Sequence, residues 1–184
     1  MMNNDARFTV ISYNVRGLKN TTRVNELTMF LTTHKPSILI IQEPKIDHRT
    51  TVTTTDKDGV TTTKQHTPVT LPKFMGYASI HFTHPTEPTG VIFYIHKSCT
   101  YLPLHHIDHC TPYNRNAGMR TIAAFVWVAH PKLSQPVVVG GVYLDNKCTE
   151  QDVKALAANL SRAGEPLPGS PVSAIPLPLF VLGD

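Results

Sequence analysis

Ser37-Ile38-Leu39-Ile40-Ile41-Gln42-Glu43 is the stretch on which the fold turns. Its aliphatic residues run on without an alternating polar face, which implies a strand covered on both sides. Upstream, Val24, Leu27, Phe30 and Leu31 recur at three- and four-residue steps and place one apolar stripe along a helix, which Pro36 closes. Before that helix, Phe8-Thr9-Val10-Ile11-Ser12-Tyr13 ends at Asn14 and Gly17 and reads as a buried strand followed by a turn. Strand, helix and strand in this order predict a layered α/β unit. Gln42 and Glu43 emerge at the end of the apolar run, where open α/β sheets place their chemistry.

Downstream the composition changes. From Asp47 to Pro72, threonines crowd around Asp58-Gly59, a turn dipeptide. The segment is either a projecting two-stranded ribbon or a loop, and in both cases an insertion outside the core. Strands are expected again at Tyr77 to Phe82, Gly90 to His96, Thr121 to Val128 and Val137 to Leu144. Thr149-Glu150-Gln151-Asp152 resembles a capping box, and Val153, Leu156, Ala157 and Leu160 supply a second helical stripe. A Pro/Ser/Gly linker from Gly164 to Pro178 leads into Leu179-Phe180-Val181-Leu182-Gly183-Asp184, read as one more buried strand with a carboxylate at its tip.

The 184 residues are 41% hydrophobic and 16% charged, enough apolar material for a core and too little charge for a solvated disordered chain. The longest apolar runs fall far short of the ~20 residues that span a bilayer, so no membrane segment is expected. No basic start followed by an apolar run marks a secretory signal. Three widely spaced cysteines, Cys99, Cys110 and Cys148, argue against a disulfide framework and for a reducing intracellular compartment. The net charge of +4 is a mild bias towards polyanions.

Asn14, Glu43 and Asp184 share one placement, each following a β-rich apolar run. Converging at one rim, an amide and two carboxylates suit a hard divalent cation such as Mg²⁺ or Mn²⁺, which takes oxygen ligands and keeps several waters. Strand-end capping accounts for any one of them alone. The surrounding words are more specific: Ser12-Tyr13-Asn14-Val15-Arg16-Gly17-Leu18, Ile40-Ile41-Gln42-Glu43-Pro44-Lys45, Thr89-Gly90-Val91-Ile92-Phe93-Tyr94, Gly141-Val142-Tyr143 and Phe180-Val181-Leu182-Gly183-Asp184, in this order. Together they resemble the endonuclease/exonuclease/phosphatase superfamily, and most closely the endonuclease domain of LINE-type (non-LTR) retrotransposons.

The resemblance implies a four-layer αββα sandwich of the α/β class, with residues 1–184 as a single incomplete domain carrying the threonine-rich insertion at about 47–72. It implies a Mg²⁺- or Mn²⁺-dependent endonuclease acting on DNA in the nucleus, with a reverse-transcriptase domain in the parent polyprotein. Glu43 would be the principal metal ligand, Asn14 would help hold the metal shell and the scissile phosphate, and Tyr143 would place its phenol on the phosphate. Asp184 would orient the attacking water. Arg16, Lys45 and Arg120 would flank the DNA. The chain departs from the pattern too: the asparagine of Gly-Asp-x-Asn and the later Ser-Asp-His motif are not among its residues. A missing acid/base group costs ~10²–10⁴ in rate, so little or no nicking is expected from these residues alone. An abasic-site repair nuclease, another phosphoester hydrolase of the superfamily, or a non-catalytic DNA-binding remnant are the alternatives.

Two weaker signals complete the reading. His105, Asp108, His109 and Cys110 are zinc-ligand types, but no second cluster accompanies them, so incidental surface histidines are the better account. Trp127, inside a strand-like run, is expected in the core rather than as a base-stacking platform.

Overall fold

The computed structural model describes residues 7–46, 51–65, 70–83, 90–104, 122–144, 149–163 and 178–183. Ten strands and two helices are formed by these residues. The first sheet is built from β1 (Val10–Asn14), β2 (Ile38–Gln42), β5 (Tyr77–Thr83) and β6 (Gly90–His96), in the order β1-β2-β6-β5. The second is built from β7 (Thr100–Pro103), β8 (Ile122–Ala129), β9 (Val137–Tyr143) and β10 (Leu179–Gly183), in the order β10-β9-β8-β7. In each sheet the outer pair is parallel, β1 with β2 and β10 with β9, and the other pairings are antiparallel.

Three apolar layers alternate with these elements. Ile38, Ile40, Val91 and Phe93 meet Ile122, Ala124, Val126 and Val139 between the sheets. The opposite faces of β2 and β6, through Leu39, Ile41, Ile92 and Tyr94, pack on Leu27 and Leu31 of α1 (Thr21–His34). Ala123, Phe125 and Val138 pack on Leu156, Leu160 and Ala163 of α2 (Glu150–Ala163). The stacking is helix, sheet, sheet, helix: the expected αββα sandwich. Ile38, Leu39, Ile40 and Ile41 are all fully buried, as a strand without a polar face requires.

Both helix starts follow from their sequence. Asn20 caps α1 by accepting the Thr22 N–H at 2.8 Å. Thr149 Oγ1 and N–H both donate to Asp152 Oδ2, at 2.8 and 2.9 Å, while the Asp152 N–H turns back to the threonine hydroxyl. This reciprocal box turns Asp152 inward, and the helical period then carries Leu156, Leu160 and Ala163 to the sheet. Val153 and Ala157, expected in the buried stripe, face outward for the same reason.

Three other expectations need correcting. β7 has no forerunner in the sequence reading, because Pro103 and its polar surroundings hide a short edge strand, the one place where proline is tolerated. β10 is not buried: Phe180 and Val181 are 50% and 41% exposed, since β10 is the outermost described strand of its sheet. β1 is likewise an edge, with Tyr13 largely exposed rather than buried. The threonine-rich insertion is a ribbon, with β3 (Thr51–Thr55) antiparallel to β4 (Thr61–Gln65). Its turn is organised by Asp56, whose carboxylate accepts the N–H groups of Asp58 and Val60. Trp127 is half-buried against the second helical layer, as expected of a core residue. The His105 to Cys110 cluster lies outside the described residues. No described helix is long and apolar enough to cross a membrane.

Candidate active site

β1 and β2 run parallel with Asn14 opposite Gln42, so their C-terminal ends deliver Asn14 and Glu43 to the same rim. Both chains then turn sharply. Arg16, Glu43 and Lys45 have φ of 50°, 48° and 49°, the left-handed region that side-chain-bearing residues rarely adopt, and Gly17 follows at 114°. Such residues cost of order 1–3 kcal/mol each and collect where a site demands a particular chain path. The two turns brace one another: Val15 N–H donates to Gln42 O at 3.2 Å and Leu18 N–H to Pro44 O at 2.8 Å. Val15, Leu18 and Ile46 are buried beneath them and tie the strained turns to the helical layer.

The facing sheet contributes Tyr143. Its hydroxyl donates to Glu43 Oε1 at 2.6 Å, joining the two sheets at the rim. Two positions earlier, Gly141 explains how they come so close. A Cβ there would lie 2.6 Å from Val91 Cγ1 and 2.7 Å from Ile40 Cγ2, so only glycine lets the sheets close at this point. Tyr143 itself is 8% exposed.

Asn14 Oδ1 accepts the Arg16 N–H at 3.1 Å, a local turn that fixes the amide's orientation. Lys45 Nζ stands 3.8 Å from Glu43 Oε2, and the lysine side chain is 54% exposed at the rim. Arg16 is exposed on the wall of an open cleft of about 520 Å³, lined also by Asn14, Asn20, Thr22 and Arg23. The Arg23 guanidinium donates to Val15 O and so supports this wall; nothing in the motif pattern pointed to it. Asp184 and Arg120 lie outside the described residues. β10 ends at Gly183, opposite Val142 and so one register step from Tyr143.

The donor set is oxygen-rich: the Glu43 carboxylate, 19% exposed, and the Asn14 amide oxygen. Gln42, fully buried, adds a side-chain oxygen with no hydrogen-bond partner among the described residues. Oxygen donors of this type are those a hard cation takes, although among the described residues no group of three or more His, Cys, Asp or Glu is placed to hold a metal ion.

Solved structures share this architecture. An endonuclease/exonuclease/phosphatase family protein from Bacteroides thetaiotaomicron superposes with a TM-score of 0.58 at 14% identity, over 96% of this chain and 61% of that one. The fold is theirs. D. rerio TDP2, solved with a single-strand DNA product, gives a TM-score of 0.52 at 15% identity over 86% of this chain and 55% of its own. The human Nocturnin catalytic domain, solved with a bound sulfate anion, gives 0.54 at 14% identity over 96% and 63%. The chain therefore spans less than two thirds of the length of each. No family model and no curated protein matches the sequence.

Proposed function

We propose that this chain carries part of a divalent-metal-dependent DNA endonuclease site, of the kind found in LINE-type retrotransposons, that cleaves phosphodiester bonds. The observation that carries the reading is the Glu43–Tyr143 hydrogen bond across the two sheets, with Asn14 paired into the same rim. The sandwich shared with phosphoester-processing neighbours supports it, and one of those neighbours was solved with DNA.

In this reading Glu43 holds the cation, assisted by Asn14, and the Tyr143 phenol and the Asn14 amide bind the non-bridging oxygens of the scissile phosphate. When held there, Mg²⁺ or Mn²⁺ would supply Lewis-acid polarisation of a phosphoryl oxygen and charge stabilisation for the leaving group. Lys45, beside Glu43, limits the net negative charge of the rim and so lowers repulsion towards the DNA backbone. Arg16, on the cleft wall, contacts a neighbouring phosphate, a sequence-independent contribution that weakens with salt. Asp184 aims the water, and Arg120 flanks the DNA. The same reading assigns the protein to the nucleus and to a polyprotein with reverse transcriptase. Because Ser-Asp-His is not among the 184 residues, turnover by this chain alone is slow or nil.

The test is Mn²⁺ binding by electron paramagnetic resonance alongside nicking of supercoiled plasmid. Wild type binds Mn²⁺; Glu43→Ala loses at least ~10-fold in affinity with its circular dichroism unchanged, and any nicking goes with it. Salt-dependent DNA binding that needs no cation and ignores Glu43→Ala would instead favour a non-catalytic remnant.

A further inference from the structure

We propose that Gln42 is a positioning residue for the cation site, its buried amide holding a water of the ion's hydration shell. The proposal rests on the cation reading above and goes beyond it, since neither Glu43 nor Asn14 accounts for a polar side chain at this position. β2 is aliphatic from Ile38 to Ile41, and its next residue, on the face shared with Ile38 and Ile40, looks into the apolar layer between the sheets. A leucine or methionine would suit that layer. The residue is a glutamine, 0% exposed, paired in register with Asn14 on one side and Val91 on the other. Glu43 follows it directly.

Its amide is half-satisfied. Nε2 donates to Ser12 Oγ, while Oε1 is buried with no partner among the described residues. Turning the amide over exchanges the two ends and still leaves one unpaired. A buried polar end without a partner is costly, and the exceptions are informative about function. Gln42 lies on the β2 face that Ile38 and Ile40 turn towards the facing sheet, the sheet whose Tyr143 reaches Glu43. Mg²⁺ held by one or two carboxylates keeps several waters, each of which needs acceptors or donors around it. An amide can serve a water with either end, so the Ser12–Gln42 pair forms a polar floor for that hydration shell. Groups that orient a metal's ligands in this way typically change affinity 10–100-fold when removed.

The experiment uses the full 184-residue chain, with Mn²⁺ as probe and electron paramagnetic resonance of the free ion as readout. Thermal melting without metal is followed in parallel. Gln42→Met keeps the volume and removes the polar ends: the expected result is Mn²⁺ affinity weakened about 10-fold with a melting temperature that does not fall. Gln42→Glu keeps the reach to Ser12 and sets a carboxylate towards the ion, so it strengthens Mn²⁺ binding severalfold. This second variant keeps the test decisive where the first folds poorly. A lower melting temperature in Gln42→Met, with Mn²⁺ affinity unchanged in both variants, overturns the proposal: the amide then serves only strand pairing. Wild type that binds no Mn²⁺ overturns the cation reading, and this proposal with it.

Discussion

The centre of the sandwich and its flank use the same kinds of residue to opposite effect. In the centre, β2 and β6 face β9 and β8, and Ile40, Val91, Phe93, Val126 and Val139 are 0% exposed. On the flank, β1 and β10 are each the outermost described strand, and Phe8, Val10 and Leu179 to Leu182 line a cavity of about 500 Å³ between them. Valine and phenylalanine thus become core or surface according to what stands beyond them, not according to their own hydropathy. The candidate site straddles this boundary. Glu43 and Tyr143 come from the closed centre, Asn14 from the flank. The buried half therefore holds the carboxylate and phenol, and a more open half presents the amide, Arg16 and the cleft.

That contrast can be broken most forcefully in the centre. Ile40→Ala empties space on which both sheets close and should cost about 2–5 kcal/mol in urea unfolding. Val181→Ala removes comparable aliphatic surface from the flank, where the side chain is already 41% exposed, and should stay within about 0.5 kcal/mol. Equal costs would mean that the flank is covered in solution. An intermediate effect is expected at the seam: Gly141→Ala puts a methyl against Val91 and Ile40, with about 1–3 kcal/mol of overpacking. Because the sheets must part to admit it, the same substitution should weaken Mn²⁺ binding, although Gly141 carries no ligand. Unchanged binding would show that the Glu43–Tyr143 contact does not depend on this close approach.

How much of this was legible depends on the kind of information each residue carries. The Ile38 to Ile41 run announced a doubly covered strand, and the periodicity of Val24, Leu27, Phe30 and Leu31 announced the helix against it, because burial is written directly into aliphatic spacing. The rim residues Asn14 and Glu43 were legible as polar punctuation after such runs. Phe180 and Val181 were misread because a strand's own residues do not say whether a neighbour exists beyond it. β7 was missed because proline at an edge looks like proline in a loop. Val153 and Ala157 were misplaced because two apolar rows compete on α2 and the capping box, not hydrophobicity, decides between them. Gln42 stood in plain view within the motif, yet only its burial and unpaired end mark it as more than a strand terminus. Glu43's backbone strain has no sequence signature at all.

The smallest expected effect concerns the other end of the first sheet. β6 runs antiparallel to β2, so His96 closes the first sheet at the end opposite Glu43. Its ring nitrogen lies 2.9 Å from Ser98 Oγ, and its pKa is lowered, first by burial and then by Lys97, His130 and Lys35. His130, tilted against the Phe8 ring, is lowered by burial and by Lys132. Both imidazoles thus hold a proton less readily folded than unfolded. The unfolded chain binds more protons as the pH drops through about 6.5, so stability present above that pH is lost as it falls towards the lowered folded values. Both residues are only partly buried, so solvent screening keeps the loss of melting temperature between pH 7.5 and about pH 5 small. His96→Gln with His130→Gln should flatten this slope, whereas Glu43→Ala, at the candidate rim, should leave the histidine contribution in place. A slope that survives the double substitution would place the acid sensitivity elsewhere in the molecule, and the two ends of the first sheet would no longer be separable by pH.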